Sequence, residues 1–447
     1  MRSTSLCPQS LACALFAALG LVSPAQSWSA QPIGAGPPED SSQALRYDRE
    51  YPVMHYGDPA THNAVARLQT RLDRGEVKLT FEPKHGYLES LLDALGIDRS
   101  SQTLVYSKTS LQTGSIRAAT PRAIYFNDDA YVAWVQGSDL LELGAMDTER
   151  GQVFYTLPNS QGEATRLQRE TLRCLSCHDT YSLSGGGVPR FLIMSSYVNT
   201  LGDQIVHEGS ILPTDQTELK YRWGGWYVTG QHGAQVHLGN MHIRQAQQLL
   251  DLESLRRGNL DSLDGLFNTQ PYLTNKSDIV ALLVMQHQAY IQNLITRVNF
   301  ETRTVLAKDK EQTLKLASRP ELKEDLDALV DAMLFVDAAP LTDRIVGNAG
   351  FDVWFESQGP RDSKGRSLRE LDLTKRLFKY PLSYLIYAPA FDALPQPALN
   401  YVYERFAAVL SERDQGAAYA HLSSADRRVI IEILTATKPG FAQASRR

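Results

Sequence analysis

Cys174, Leu175, Ser176, Cys177 and His178 put two thiols three positions apart, with an imidazole directly after the second. Two thiols one helical turn apart can add to the two vinyl groups on one edge of a porphyrin, while the next imidazole turns beneath its iron. That is the C-x-x-C-H pattern of covalent c-type haem attachment. On this reading Cys174 and Cys177 are thioether links to a single haem c, and His178 is the proximal iron ligand. A thioredoxin-like C-x-x-C asks for an apolar strand before the motif and a helix after it. The flanks here are the charged "ATRLQRETLR" and the polar "DTYSLSGGG". A structural zinc site asks for about four ligands, and only these two thiols remain once the N-terminal leader is set aside. A disulfide between them would close too small a loop to add much stability.

An electron-transfer haem takes a second axial ligand, usually His or Met, whereas a haem that handles oxygen species leaves that position open. The glycine-rich stretch "GQHGAQVHLGNMHIR" supplies candidates: His232 first, His237 second, then Met241 and His242. Met194, within "RFLIMSSY", and His287, on the apolar face of a helical pattern, read as core residues. Arg222 in "RWGGWYVTG" could pair with a haem propionate, and Trp223, Trp226 or Tyr227 could wall a pocket. The same residues also read as an aromatic hairpin with a Gly-Gly bend. No nucleotide-binding glycine pattern, serine-hydrolase elbow or H-E-x-x-H zinc helix is present.

The elements that must carry these residues follow from the patterning. Residues 1–27 read as a secretory signal peptide: Arg2, the apolar run "LACALFAALGLV", then small residues suited to cleavage. The mature chain is therefore expected to be exported, to the periplasm or beyond. No later stretch has the roughly 18 apolar residues of a membrane span. The composition is that of a globular protein, with 43% hydrophobic and 21% charged residues and a formal net charge of −5. That balance argues against a nucleic-acid partner.

Between residues 28 and 157 the runs "TLVYS", "AIYFNDDAYVAWV", "LLELGAM" and "QVFYTL" read as antiparallel hairpins. Asn127-Asp128-Asp129 forms one of the turns; its two adjacent acids lack the spaced ligands of a calcium loop. Residues 158–245 form a loop-rich, haem-binding middle. From 246 to 447 the period becomes helical. Ile279, Leu283, His287, Tyr290, Leu294 and Val298 line a long helix starting near Ser277. Ser318 to Glu321 resembles a capping box before a second helix, and two more helices are expected over 398–413 and 424–437. The fold class is α+β, with a β-rich N-terminal half and a helical C-terminal third.

Within Cys174 to His178 the chain resembles the c-type cytochromes. Taken whole, "SLLDALGIDRSSQTLVYSKTS", "PRAIYFNDDAYVAWVQG", "CLSCHD", "RWGGWYVTGQHG" and "FKYPLSYLIYAPAFDALP" resemble a family of large exported bacterial proteins labelled only as cytochrome c domain-containing. That resemblance implies a haem site at Cys174, Cys177 and His178, and nothing about substrate. The expected activity is electron transfer by a periplasmic monohaem cytochrome to a redox partner protein. Because the chain is much longer than a simple carrier needs, two alternatives stand beside it. One is a haem-dependent oxidoreductase, peroxidase-like or acting on a small substrate, with an open distal site. The other is a haem-based binding or sensing module.

Overall fold

Runs rich in Val, Tyr, Phe and Trp, punctuated by Asn, Asp and Gly, pair as strands where the period is two, and a long helix begins where it becomes 3.6. The computed structural model describes residues 51–444 apart from 163–165, 180–186, 206–207, 244–257 and 309–315. The signal peptide expected over residues 1–27 lies outside the described residues.

Helices α1 (Ala64–Asp73) and α2 (Leu88–Leu95) come first. Strands β1 (Thr103–Val105), β2 (Arg122–Phe126), β3 (Ala130–Val135), β4 (Leu140–Asp147), β5 (Gly151–Pro158) and β6 (Gln168–Glu170) follow. Asn127 closes the β2–β3 turn, its Oδ1 accepting from the amides of Asp129 at 3.1 Å and Ala130 at 3.0 Å. The Asp128 carboxylate pairs with Arg369, so this is the plain turn that the sequence suggests. Then come α3 (Leu172–His178), the paired two-residue strands β7 (Ser195–Ser196) and β8 (Ser210–Ile211), and β9 (Trp226–Tyr227). The main sheet has seven antiparallel strands in the order β6-β5-β4-β3-β2-β1-β9.

Alternation gives the sheet two apolar faces. Leu104, Tyr125, Val132, Trp134, Val153 and Tyr227 pack with Leu68, Leu88 and Leu91 of α1 and α2. Ile124, Tyr131, Ala133, Phe154 and Trp226 join the larger core of the C-terminal helices. That core is organised by α4 (Ile279–Lys308), a helix of 30 residues whose side chains from Ile279 to Ala289 are all buried. Its entry is pinned on both sides. Ser277 Oγ accepts from Leu104 N at 2.9 Å and donates to Tyr227 O at 2.6 Å. Asp278, fully buried, accepts from Val280 N and Ala281 N at 2.7 and 3.2 Å, and from Asn348 N and Ala349 N at 2.7 and 2.8 Å. It caps α4 and fastens a distant loop to that cap.

The sheet-facing side of α4 is polar. Gln288 Nε2 donates to Asn127 O and Gln292 Nε2 to Asp128 O, each at 2.8 Å. Thr296 Oγ1 donates to Gln152 Oε1 at 2.9 Å and Asn299 Nδ2 to Glu149 O at 2.6 Å. These residues fall three or four apart, on one face.

The C-terminal part is helical: α5 (Pro320–Met333), α6 (Phe351–Ser357), α7 (Pro389–Asp392), α8 (Gln396–Leu410), α9 (Ser424–Thr437) and α10 (Pro439–Ala444). The fold is α+β, as the sequence indicates. The capping box expected at Ser318 is absent: Arg319 precedes α5 without a side-chain cap. Pro320 stands at the first helical position, where its fixed φ favours the helix and its missing N–H needs no partner. The capping box belongs instead to α9, between Ser423 and Asp426. Among the described residues no helix is long and apolar enough to cross a membrane.

Asp278→Ala should destabilise the protein by about 3 kcal/mol or more in urea unfolding, since it strands several buried amides as well as removing a cap. Asp278→Asn should recover only part of that loss, because an amide presents one acceptor oxygen where the carboxylate presents two.

Candidate functional site

β6 delivers the chain into α3, whose two turns place Cys174, Cys177 and His178 along one face. Leu175 is buried beneath the helix, Cys174 is half-buried and Cys177 is exposed; neither forms a disulfide. Burial pushes the Cys174 thiol up to about 12. It is protonated across the neutral range, the opposite of a low-pKa thioredoxin-like nucleophile.

His178 is held by a single strong contact. Its Nδ1 lies 2.7 Å from Arg190 O. A carbonyl can only accept, so Nδ1 carries the hydrogen and Nε2 keeps its lone pair. Arg190 N returns a bond to His178 O at 3.0 Å. The ring rests against Phe154, with centroids 4.3 Å apart. Nε2 has no hydrogen-bond partner among the described residues. Burial lowers the pKa of the imidazole below its usual value, which favours the neutral form a metal ligand needs.

Cys174 and His178 border a cavity of about 110 Å³ on the α4-facing side of the sheet. Ala133 and Gly144 leave room above the strands, Tyr131, Phe154 and Phe191 wall it, and Met285 of α4 reaches it. Gly144 is required by packing: a Cβ there would lie 2.6 Å from Phe191 Cε1. At one end Arg122 Nη1 stands 3.6 Å from Glu142 Oε2, and the buried Arg122 Nε has no hydrogen-bond partner among the described residues. Asn293 of α4 fixes the Phe191 wall, its Oδ1 accepting from Phe191 N and its Nδ2 donating to Phe191 O, both at 2.9 Å. Behind Phe191 and Ile193 lies a second cavity of about 210 Å³, bordered by Tyr290, Arg297 and Asp325.

The other residues singled out in the sequence sit elsewhere. His232 donates from Nδ1 to Gln235 O at 2.7 Å, its ring 4.7 Å from that of His237. His237 Nδ1 accepts from Gly239 N at 3.0 Å. Met241 packs with Leu238 and Ile243, and the His242 ring lies 6.1 Å from that of Tyr106. None of these four borders the cavity at His178. Met194 Sδ accepts from Gln204 Nε2 at 3.0 Å. His287 is a satisfied core histidine, bonded at Nδ1 to Asp215 Oδ2 at 2.7 Å and at Nε2 to Ser383 Oγ at 2.8 Å. Arg222 donates to Thr217 O and Asp215 O. Trp226 N donates to Trp223 O at 3.0 Å, so "WGGW" is a bend feeding the edge strand β9.

Met285 borders the cavity at His178 and was not singled out in the sequence. It precedes Gln288 by three positions and so shares the sheet-facing side of α4. The polar residues of that side are the signal that could have found it.

Comparison with family models, with curated proteins and with solved structures finds no match for this chain. Among the described residues no three His, Cys, Asp or Glu side chains group so as to hold a metal ion. A haem needs no such group, because the porphyrin supplies four of the iron's ligands.

Alkylation of the protein expressed without haem-attachment machinery, mapped by mass spectrometry, should modify the exposed Cys177 first. Cys174 should lag at neutral pH, its rate still climbing through the alkaline range toward its pKa of about 12. Equal rates at neutral pH would contradict the burial of Cys174.

Proposed function

We propose that this chain is an exported monohaem c-type cytochrome active in electron transfer, its haem attached through Cys174 and Cys177 with His178 as proximal ligand. The observation that carries this reading is the His178 hydrogen bond: Nδ1–H on Arg190 O at 2.7 Å, with Nε2 left free of protein partners among the described residues. Metal-ligating histidines characteristically donate their other ring N–H in this way, which fixes the tautomer and raises the basicity of the ligating nitrogen. Bound there, the haem would supply a one-electron iron couple in an apolar surrounding.

The chain's own residues supply the rest. Phe154 limits rotation of the His178 ring, and burial keeps that ring neutral. Arg122, with its Nε unpartnered, is a cation suited to a propionate. The donor set fits the group, but the space does not yet fit it. A cavity of about 110 Å³ is well under the roughly 300 Å³ at which ligand pockets begin. Seating a macrocycle requires the Phe191–Ile193 wall to give way toward the second cavity, against the grip of Asn293.

Met285, which borders the same cavity as His178, would be the second residue to hold the iron, in preference to His232 and His237 for that position. A second reading rests on Thr103 Oγ1, which lies 3.6 Å from Met285 Sδ. If Met285 stays with Thr103 when haem is bound, the position is open and the chain is a haem-dependent oxidoreductase or a sensor. Export and the redox partner protein belong to the same proposal, since thioether attachment of haem takes place outside the cytoplasm.

The test is expression with a leader and haem-attachment machinery, followed by ferric and ferrous spectra with and without carbon monoxide. The expected result is a low-spin haem indifferent to carbon monoxide, becoming high-spin and carbon monoxide-binding in Met285→Ala. A wild-type protein that binds carbon monoxide favours the open-site reading. A wild-type protein recovered without haem from a competent host would refute the proposal.

A further inference from the structure

A cavity of about 320 Å³ shares no lining residue with the one at His178. It lies between the first turns of α4, the turn after α5 and the segment before α7. Its walls are largely apolar, formed by Leu283, Phe335, Leu341 and Phe378. One buried cation borders it. Arg222 is only 6% exposed, its Nε donating to Thr217 O at 2.7 Å and its Nη2 to Asp215 O at 3.0 Å. Those carbonyls orient the guanidinium without neutralising it. The Asp215 carboxylate is committed to His287 Nδ1 at 2.7 Å, and no carboxylate pairs with Arg222 among the described residues. Burial lowers the Arg222 pKa, with the charge of Asp215 acting against it. Buried charges are ordinarily paired, so this one marks a place for an anion.

A second, independent feature points to the same cavity. Phe335 and Asp337, both on its wall, have φ of 58° and 55°, a left-handed backbone that bulky side chains rarely adopt and that clusters at ligand sites. The turn is over-determined by its contacts. Phe335 stacks on His287 with centroids 4.8 Å apart, Ala339 N donates to Asp215 O at 2.9 Å, and His421 Nε2 donates to Leu334 O at 2.8 Å. At the rim the exposed Lys375 adds a cation with no carboxylate partner among the described residues.

We propose that this cavity binds a small organic anion, a carboxylate on an aromatic or branched aliphatic body, with the carboxylate on Arg222 and the body against Phe335, Leu341 and Phe378. A phosphate group suits it less well, because two donors of the guanidinium are already spent on carbonyls and the walls are largely apolar. The proposal is independent of the haem reading.

The test is thermal unfolding of the full chain with benzoate, and with benzamide and benzylamine as neutral and cationic analogues of the same shape. Benzoate should raise the midpoint saturably, while the two analogues should leave it unchanged. Arg222→Gln should weaken benzoate binding about tenfold or more. Because Arg222 also ties two carbonyls, a second variant is needed: Leu341→Trp fills the cavity, leaves Arg222 in place and should abolish the benzoate shift. The proposal is overturned if benzoate gives no shift, if benzamide matches it, or if a folded Leu341→Trp responds as the parent does.

Discussion

A buried polar seam along α4 is the constraint on which the rest of the structure depends. Amides placed in a core are costly unless both of their ends are bonded. Gln288 meets that condition with Asn127 O, Tyr131 and Tyr384, and Gln292 does so with Asp128 O and Tyr131. Asn293 spends both ends on Phe191 and Gln152. Several of these partners are main-chain carbonyls at strand ends, so the bonds form only at one height and one rotation of the helix. Apolar contacts alone would tolerate sliding; this seam does not.

The site inherits that precision. With α4 fixed, Met285 stands at the head of the seam, and Asn293 holds Phe191 across Gly144. Phe191 follows directly on Arg190, whose carbonyl orients His178. A single run of chain thus carries the carbonyl that accepts from the imidazole and the wall of the adjoining cavity. Movement of that run would change the cavity volume and the His178 contact together, and Asn293 holds it in place.

Much of this was legible in the sequence, unevenly. The hairpins of β2 to β5 were readable because their alternation is regular and Asn127 closes its turn by local bonds. The Cys174–His178 spacing stood out because it is local, and the structure places those three residues along one face of a short helix. The lining of the adjoining cavity was less readable: His232 and His237 drew attention through their glycine neighbours, a local signal, and do not border it, whereas Met285 reaches it only through the long-range seating of α4. The apolar stripe from Ile279 to Val298 correctly marks that helix. Its other side, of glutamine, asparagine and threonine, reads as a solvent face by hydropathy and is in fact buried against the sheet. The failed capping box at Ser318 has a local cause, since Pro320 starts the helix without one. The Asp278 cap escaped notice because two of its four bonds come from Asn348 and Ala349, about 70 residues away in the chain.

The central claim is that Cys174 and Cys177 carry a haem by two thioether bonds. It is tested most directly by the pyridine haemochrome spectrum of the denatured, exported protein, in which the α-band position reports how many vinyl groups have been saturated. The account predicts the band of a porphyrin with both vinyls converted, moving to the single-thioether position in Cys174→Ser. A spectrum with both vinyls intact, or no haem remaining with the denatured chain, would contradict it.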